Sequence, residues 1–388
     1  MGEAMVKDAY EAQLPAGIQI VRRASGERYG IPASEIERYL NELELKDISE
    51  KHKKKQIQFL KEFLSVLPVL GQSSEQIYVV SAVTIEEYLE YLESLKGKDG
   101  QSLGYKVKKD RIATVRRFLT AVGVNDPEII NRLKAVETEL RRKWKMHVAM
   151  NTKTVTKEDI DNLFRALEDL FEDYEIKEEQ YCKTLAFLLL LATTGRRKEE
   201  IARAHISWFD FEHNMIKLPH SATKVGRQLK EVEGFEILPL HPEARACLKM
   251  YTTKFRYAIE ANDGYLFAVP TRKSENPTFF DALIKKHKSL RVKLIYSPGT
   301  LTAGMFRKFF IQFWYEKGGN ELILKKLVGH SPSTVHELHY ARGLHHKKLF
   351  EEYNRVFGNV RFLTKKQRAM VSRYLPRKTG RRKRRRRR

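Results

Sequence analysis

The sequence predicts a mainly α-helical protein of two domains, with one small antiparallel β-sheet in the second. Three observations carry this. Apolar residues recur at helical spacing through most of the chain. One strand pair stands out, Met215 to Leu218 with Phe235 to Leu238. A length of 388 residues allows about two or three domains.

The elements follow in chain order. Residues 1–31 are weakly periodic, with Gly17, Gly26 and Gly30 as breakers, and read as an N-terminal arm. From Pro32 the pattern turns helical. Ile36, Leu40 and Leu43 share one face, and Ile57, Leu60, Phe63, Leu64 and Leu67 share the next. Thr84 caps a third segment carrying Ile85, Tyr88, Leu89 and Leu92. Ile112, Val115, Phe118 and Leu119 define a fourth, and a fifth runs from Pro127 to about Leu140. Residues 32–147 therefore read as an all-helical domain. Its fourth helix is basic outside the apolar stripe, at Lys106, Lys108, Lys109, Arg111, Arg116 and Arg117. Arg141, Arg142 and Lys143 precede a polar linker at 148–156.

The second domain, 157–365, opens on Thr156 as N-cap with Asp159 three residues later. Ile160, Leu163, Phe164, Leu167, Leu170 and Phe171 make an amphipathic helix. Leu185 to Ala192 is apolar all round, so it reads as a buried helix ended by Gly195. After the two strands, helices resume near Pro242, Thr278 and Thr302. Gly318-Gly319 ends the last, a short one reaches Val328, and another runs from about His345 to Phe357. Residues 366–388 read as a polybasic tail.

The formal charge of +24 points to a polyanionic partner, most simply nucleic acid. Residues 377–388 hold ten basic and no acidic side chains, so the body still carries +14. A hydrophobic fraction of 42% supports real cores and excludes a disordered basic chain. Two cysteines, Cys182 and Cys247, are too few for a disulfide framework. The longest apolar run falls far short of a membrane span of about 20 residues, and the N-terminus lacks a secretory core. The expected setting is intracellular and cytoplasmic, with no membrane partner.

Four separated motifs carry chemistry. The first is Thr194-Gly195-Arg196-Arg197-Lys198-Glu199-Glu200, in which an arginine opens a helix. Guanidinium donors beside free backbone N–H groups suit a phosphate, although a surface arginine cluster has the same appearance. The second is Thr223-Lys224-Val225-Gly226 in the hairpin. That lysine is either solvent-facing or able to protonate a leaving oxygen. The third is Arg307, set among Phe306, Phe309, Phe310 and Phe313. The fourth is Leu327-Val328-Gly329-His330, with Tyr340 ten residues beyond His330.

Together these motifs resemble the tyrosine recombinase (phage-type integrase) family, over residues 156–345. The resemblance implies catalytic roles for Arg197, Lys224, Arg307, His330 and Tyr340, with Glu200 supporting the first arginine. It implies a two-domain DNA clamp, in which a helical core-binding domain joins a catalytic domain. The basic residues 106, 108, 109, 111, 116, 117 and 141–143 are its expected DNA contacts. It further implies a homo-oligomer, tetrameric on double-stranded DNA attachment sites, that needs no cofactor or metal. Nucleoid association and integration of a mobile element into a chromosome follow from the same likeness. One position departs: where the family's H-x-x-R pattern has histidine, this chain has Gly304. Archaeal virus and plasmid integrases resemble it in such divergence. Gly304 also supports an alternative, a DNA-binding accessory protein with an eroded site. A type IB topoisomerase shares the chemistry but lacks support in the missing linker and cap elements. Among other tyrosines, Tyr315 and Tyr353 read as packing positions, and Tyr374 is a further rival. The histidines His330, His336, His339, His345 and His346 lack the companions of a zinc site. The helix at 345–357 is the candidate for exchange between protomers.

Overall fold

The computed structural model describes residues 19–23, 26–71, 76–97, 100–223, 234–267, 279–330 and 346–375. It is mainly helical with small antiparallel sheets, and it divides into two compact units, residues 1–152 and 153–388.

The first unit contains β1 (Gln19–Arg23), β2 (Gly26–Pro32), α1 (Ala33–Leu45), α2 (Glu50–Leu64), β3 (Val69–Leu70) and β4 (Ile77–Val80), then α3 (Ala82–Ser94), α4 (Tyr105–Ala121) and α5 (Pro127–Met150). The four strands form one antiparallel sheet in the order β1-β2-β4-β3. This corrects the all-helical expectation for the domain and, for the described residues of 19–31, the reading as an arm; residues 1–18 lie outside the described residues. Tyr29 and Ile31 alternate onto the core face of β2, and Tyr29 pairs with Val80. Two alternating residues on either side of Gly30 are too short a signal to separate from a loop. The core gathers Phe63, Tyr88, Ile112, Val115, Phe118 and Leu133 from four helices. Ser81, not Thr84, is the N-cap of α3: its hydroxyl accepts from the Thr84 N–H while Thr84 answers the Ser81 N–H. Helix α5 runs ten residues past Leu140, so residues 148–150 of the expected linker are helical.

The second unit starts with α6 (Lys157–Glu172), capped reciprocally by Thr156 and Asp159. Its centre is α7 (Glu178–Thr194), in which Leu185 to Ala192 are all at most 2% exposed. A helix apolar on every side can be stable only when covered on every side. Here α6, α8 (Lys198–Ala202), α9 (Pro242–Lys254) and α12 (Phe306–Glu316) pack on it. The strands β5 (Phe209–Asp210), β6 (Met215–Pro219) and β7 (Phe235–Pro239) form an antiparallel sheet, with Pro219 opposite Phe235 as the pair nearest the connection between β6 and β7. The remaining helices are α10 (Arg256–Glu260), α11 (Phe279–Lys286), α13 (Glu321–Val328), α14 (His346–Phe357) and α15 (Lys365–Met370).

Two expectations for the C-terminal part change. Helix α14 is built into the core through Leu349, Tyr353, Val356 and Phe357, so its apolar face is already covered within its own unit. Residues 366–375 belong to the fold rather than to a tail. The Gln367 amide donates to Phe164 O at 2.8 Å, Val371 is fully buried, and Glu243 accepts the N–H groups of Phe362 and Leu363. Among the described residues no helix is long and apolar enough to cross a membrane.

Candidate active site

The first motif folds as a tight turn between α7 and α8. Gly195 adopts φ +63° and caps α7 in the left-handed region. A Cβ at Gly195 would lie 2.4 Å from Cδ1 of Phe310, so both backbone and packing require glycine. Arg197 is the N-cap of α8. Its N–H donates to Glu200 Oε2 at 3.2 Å, and its Nη1 donates to Glu200 Oε1 at 3.0 Å. Glu200 is fully buried while the Arg197 side chain is 31% exposed, so a sheltered carboxylate aims a reachable guanidinium.

Arg307 enters from the first turn of α12. Its Nη1 donates to Gly195 O at 3.1 Å and to Val328 O at 2.5 Å. It thus ties the arginine turn to the end of α13. Burial, the Arg197 charge and then the Arg196 charge push its pKa down to about 10, against the pull of Glu200. Its Nη2 is buried without a hydrogen-bond partner among the described residues. A charged donor in that condition is costly unless an anion meets it.

His330 is placed by a Schellman turn. Gly329 has φ +67° and donates to Lys326 O at 3.2 Å, while the His330 N–H reaches Lys325 O at 2.9 Å. The imidazole pKa is lowered by partial burial and by the charges of Arg307, Arg197 and Lys325. Arg197, Arg307 and His330, from three separate elements, are therefore brought into one electropositive site.

Lys224 and Tyr340 lie outside the described residues. Lys224 directly follows buried Thr223, and the hairpin resumes at Gly234, whose carbonyl accepts the His220 N–H at 3.0 Å. Tyr340 stands between His330 and α14 in sequence. Tyr353 is 1% exposed, its hydroxyl donates to Thr193 O at 2.8 Å, and burial raises its pKa. It cannot present a nucleophile; it holds α14 to the last turn of α7. Tyr315, expected in packing, is 52% exposed because it faces away from the Phe309/Phe310/Phe313 side of α12. Gly304 lies in a short 3-10 turn before α12, and a Cβ there would meet nothing within 4 Å. Of the histidines weighed for a metal, His336, His339 and His345 lie outside the described residues.

The nine basic residues of the first unit separate. Lys108 and Arg111 are buried, Lys108 against Glu93 and Arg111 by two bonds to Glu62 at 2.7 and 3.2 Å. These two are committed to internal pairs, which revises their reading as outward contacts. Arg116 pairs with Glu137 at 3.0 Å. Lys106 and Lys109 stand over the Trp144 ring at 5.6 and 5.7 Å, and Arg117, Arg141, Arg142 and Lys143 are exposed.

Sequence reasoning missed Arg196. It is 1% exposed, forms an ion pair with Glu236 of β7 and donates to Lys326 O. Its only sequence signal is a second arginine in a turn where one was sought.

Several solved structures are similar to this chain. The XerA recombinase is 16% identical, covering 83% of this chain and 97% of that one, with a TM-score of 0.33. A lambda integrase dimer bound to a COC′ core site is 15% identical, covering 81% and 79%, at 0.48. A lambda integrase tetramer bound to a Holliday junction is 16% identical with the same coverage and score. No curated protein matches. The model of the phage integrase family matches residues 153–345, so the second unit of this chain carries a phage integrase family domain.

Proposed function

We propose that the protein is a site-specific DNA recombinase that cuts and rejoins strands through a 3′-phosphotyrosine. The observation that supports it best is the Arg197–Arg307 pair. Two guanidiniums in mutual repulsion, one with a buried unpartnered nitrogen among the described residues, fit a scissile phosphate. In this reading the Tyr340 oxygen attacks phosphorus as the P–O5′ bond breaks. Arg197 and Arg307 neutralise the non-bridging oxygens, and His330 donates a hydrogen bond to one of them. Lys224 protonates the departing 5′-oxygen. The Tyr340 proton passes to solvent, because Gly304 offers no side chain to take it. The phosphotyrosine keeps the ester for attack by another 5′-hydroxyl, which restores the enzyme.

The exposed cations of α4 and α5 contact duplex backbone in this reading, and protomers assemble as a tetramer on attachment sites of a mobile element. The domain limits follow the sequence reading, except that residues 366–375 join the catalytic domain. The test is a nicked suicide duplex. Wild type should form a covalent protein–DNA adduct and Tyr340→Phe should form none. Binding without any adduct from wild type would instead establish the accessory-protein reading that Gly304 favours.

A further inference from the structure

We propose that Arg196 and Glu236 form a positioning device that fixes the base of the β6–β7 hairpin against the arginine turn and the Gly329 turn. The inference rests on the strand-transfer reading above and deepens it.

Arg196 touches three elements at once. Its backbone belongs to the turn that presents Arg197, and its N–H donates to Thr194 Oγ1 at 3.3 Å. Its Nη2 reaches Glu236 on β7 and also Lys326 O in the last turn of α13. Its Nη1 fills the space that a side chain on residue 329 would need, because a Cβ at Gly329 would stand 2.4 Å from it. A guanidinium at 1% exposure is costly to bury and is retained only when its partners are fixed. Glu236 is fixed by the sheet: it lies opposite Leu218, next to the Pro219–Phe235 pair that closes the described hairpin. The planar fork of arginine can hold a strand, a helix end and a glycine turn in one geometry, which a point-charge ammonium cannot.

The consequence is specific. The hairpin base is joined to the turn that places His330 and to the turn that places Arg197. Loss of the pair should loosen the hairpin selectively, so the step that suffers is the one the hairpin serves. In the proposed chemistry that step is protonation of the leaving 5′-oxygen. A substrate with sulfur at the 5′-bridging position expels a thiolate, which needs no proton.

The experiment compares full-length wild type, Glu236→Gln, Arg196→Met and Arg196→Lys on suicide duplexes with bridging oxygen or bridging sulfur. Adduct formation rate and DNA affinity are measured for each. On oxygen, Glu236→Gln and Arg196→Met should be slower by about 10- to 100-fold, the loss expected from misplacing a catalytic group. On sulfur they should return to within about threefold of wild type, with DNA affinity unchanged. Arg196→Lys, which keeps the charge, should recover part of the oxygen rate. Glu236→Gln leaves the buried arginine in place, so it remains informative if Arg196→Met does not fold. Equal losses on both substrates, or wild-type rates on both, overturn the positioning role. A wild type that forms no adduct on either substrate overturns the strand-transfer reading, and this inference with it.

Discussion

The ring of Phe310 stacks on that of Phe357 with centroids 4.6 Å apart and planes 10° from parallel. Phe310 lies three residues after Arg307 on α12, and Phe357 closes α14, the helix that follows the Tyr340 segment. The same Phe310 ring fills the space beside Gly195. One aromatic side chain therefore sets the distances among the arginine turn, the second arginine and the helix after the proposed nucleophile.

Gly195→Ala should be costly and Gly304→Ala should not. The first places a Cβ 2.4 Å from a buried ring stacked on Phe357, at a left-handed φ. Strain of about 1–2 kcal/mol in that region adds to overpacking of about 1–3 kcal/mol. At Gly304 the Cβ enters open space at an ordinary φ. Urea unfolding should show a loss of about 2–5 kcal/mol for Gly195→Ala and under about 0.5 kcal/mol for Gly304→Ala. Equal midpoints for the two variants would refute the role given to Phe310.

The same open space makes Gly304→His a gain-of-function test. The first carbon of a side chain there meets nothing within 4 Å, one turn before Arg307. If glycine there leaves Tyr340 without a proton acceptor, the histidine variant should form adduct at least about tenfold faster, with unchanged DNA affinity. An unchanged rate would mean that the proton is not limiting at this position.

Among the cations of the first unit, burial separates those held in internal pairs from the exposed ones proposed to face DNA. Arg111→Ala leaves Glu62 without its bidentate partner and should destabilise the unit by about 3 kcal/mol. Arg142→Ala, at an exposed site, should leave stability unchanged. It should reduce the log-affinity against log-salt slope for DNA by about 0.9, one phosphate's worth. Thermal melting and salt titration of both variants check the assignment, and a reversed pattern would sink it.

The sequence was readable where one element settles the matter. The run Leu185 to Ala192, apolar on every side, read as a buried helix with Gly195 as its end, and both are found. Thr156 with Asp159 marked the start of α6. Pairings between distant residues were not readable. Arg196 was indistinguishable from a surface arginine because its partners, Glu236 and Lys326, lie 40 and 130 residues away. Lys108 and Arg111 follow the same basic rhythm as their exposed neighbours, and only the positions of Glu93 and Glu62 turn them inward. The packed residues 366–375 were hidden by their nearness to the polybasic end, since charge dominates a short window and the burial of Val371 does not.

His241 should make the second unit acid-sensitive. It is 2% exposed and caps α9. Its Nδ1 accepts the Glu243 N–H at 3.2 Å, and its Nε2 donates to Phe357 O at 3.2 Å, so both ring nitrogens are satisfied in the neutral form. Burial, with smaller contributions from Arg361 and Arg368, pulls its pKa down to about 4. In the unfolded chain it titrates near 6.5. Between these values the unfolded state binds more protons, so the stability from a neutral His241 is complete above about pH 6.5. It is lost as pH falls toward 4, by about 3 kcal/mol across the window. His241→Asn keeps a short acceptor for the cap and removes the titration. Carboxylates also protonate in this range, so the quantity to measure is the difference between wild type and variant in urea unfolding at pH 7, 5.5 and 4.5. The gap should narrow or reverse toward pH 4.5, because only wild type must take up a proton at a site that cannot solvate it. A pH-independent gap would show that His241 charges without cost in the fold.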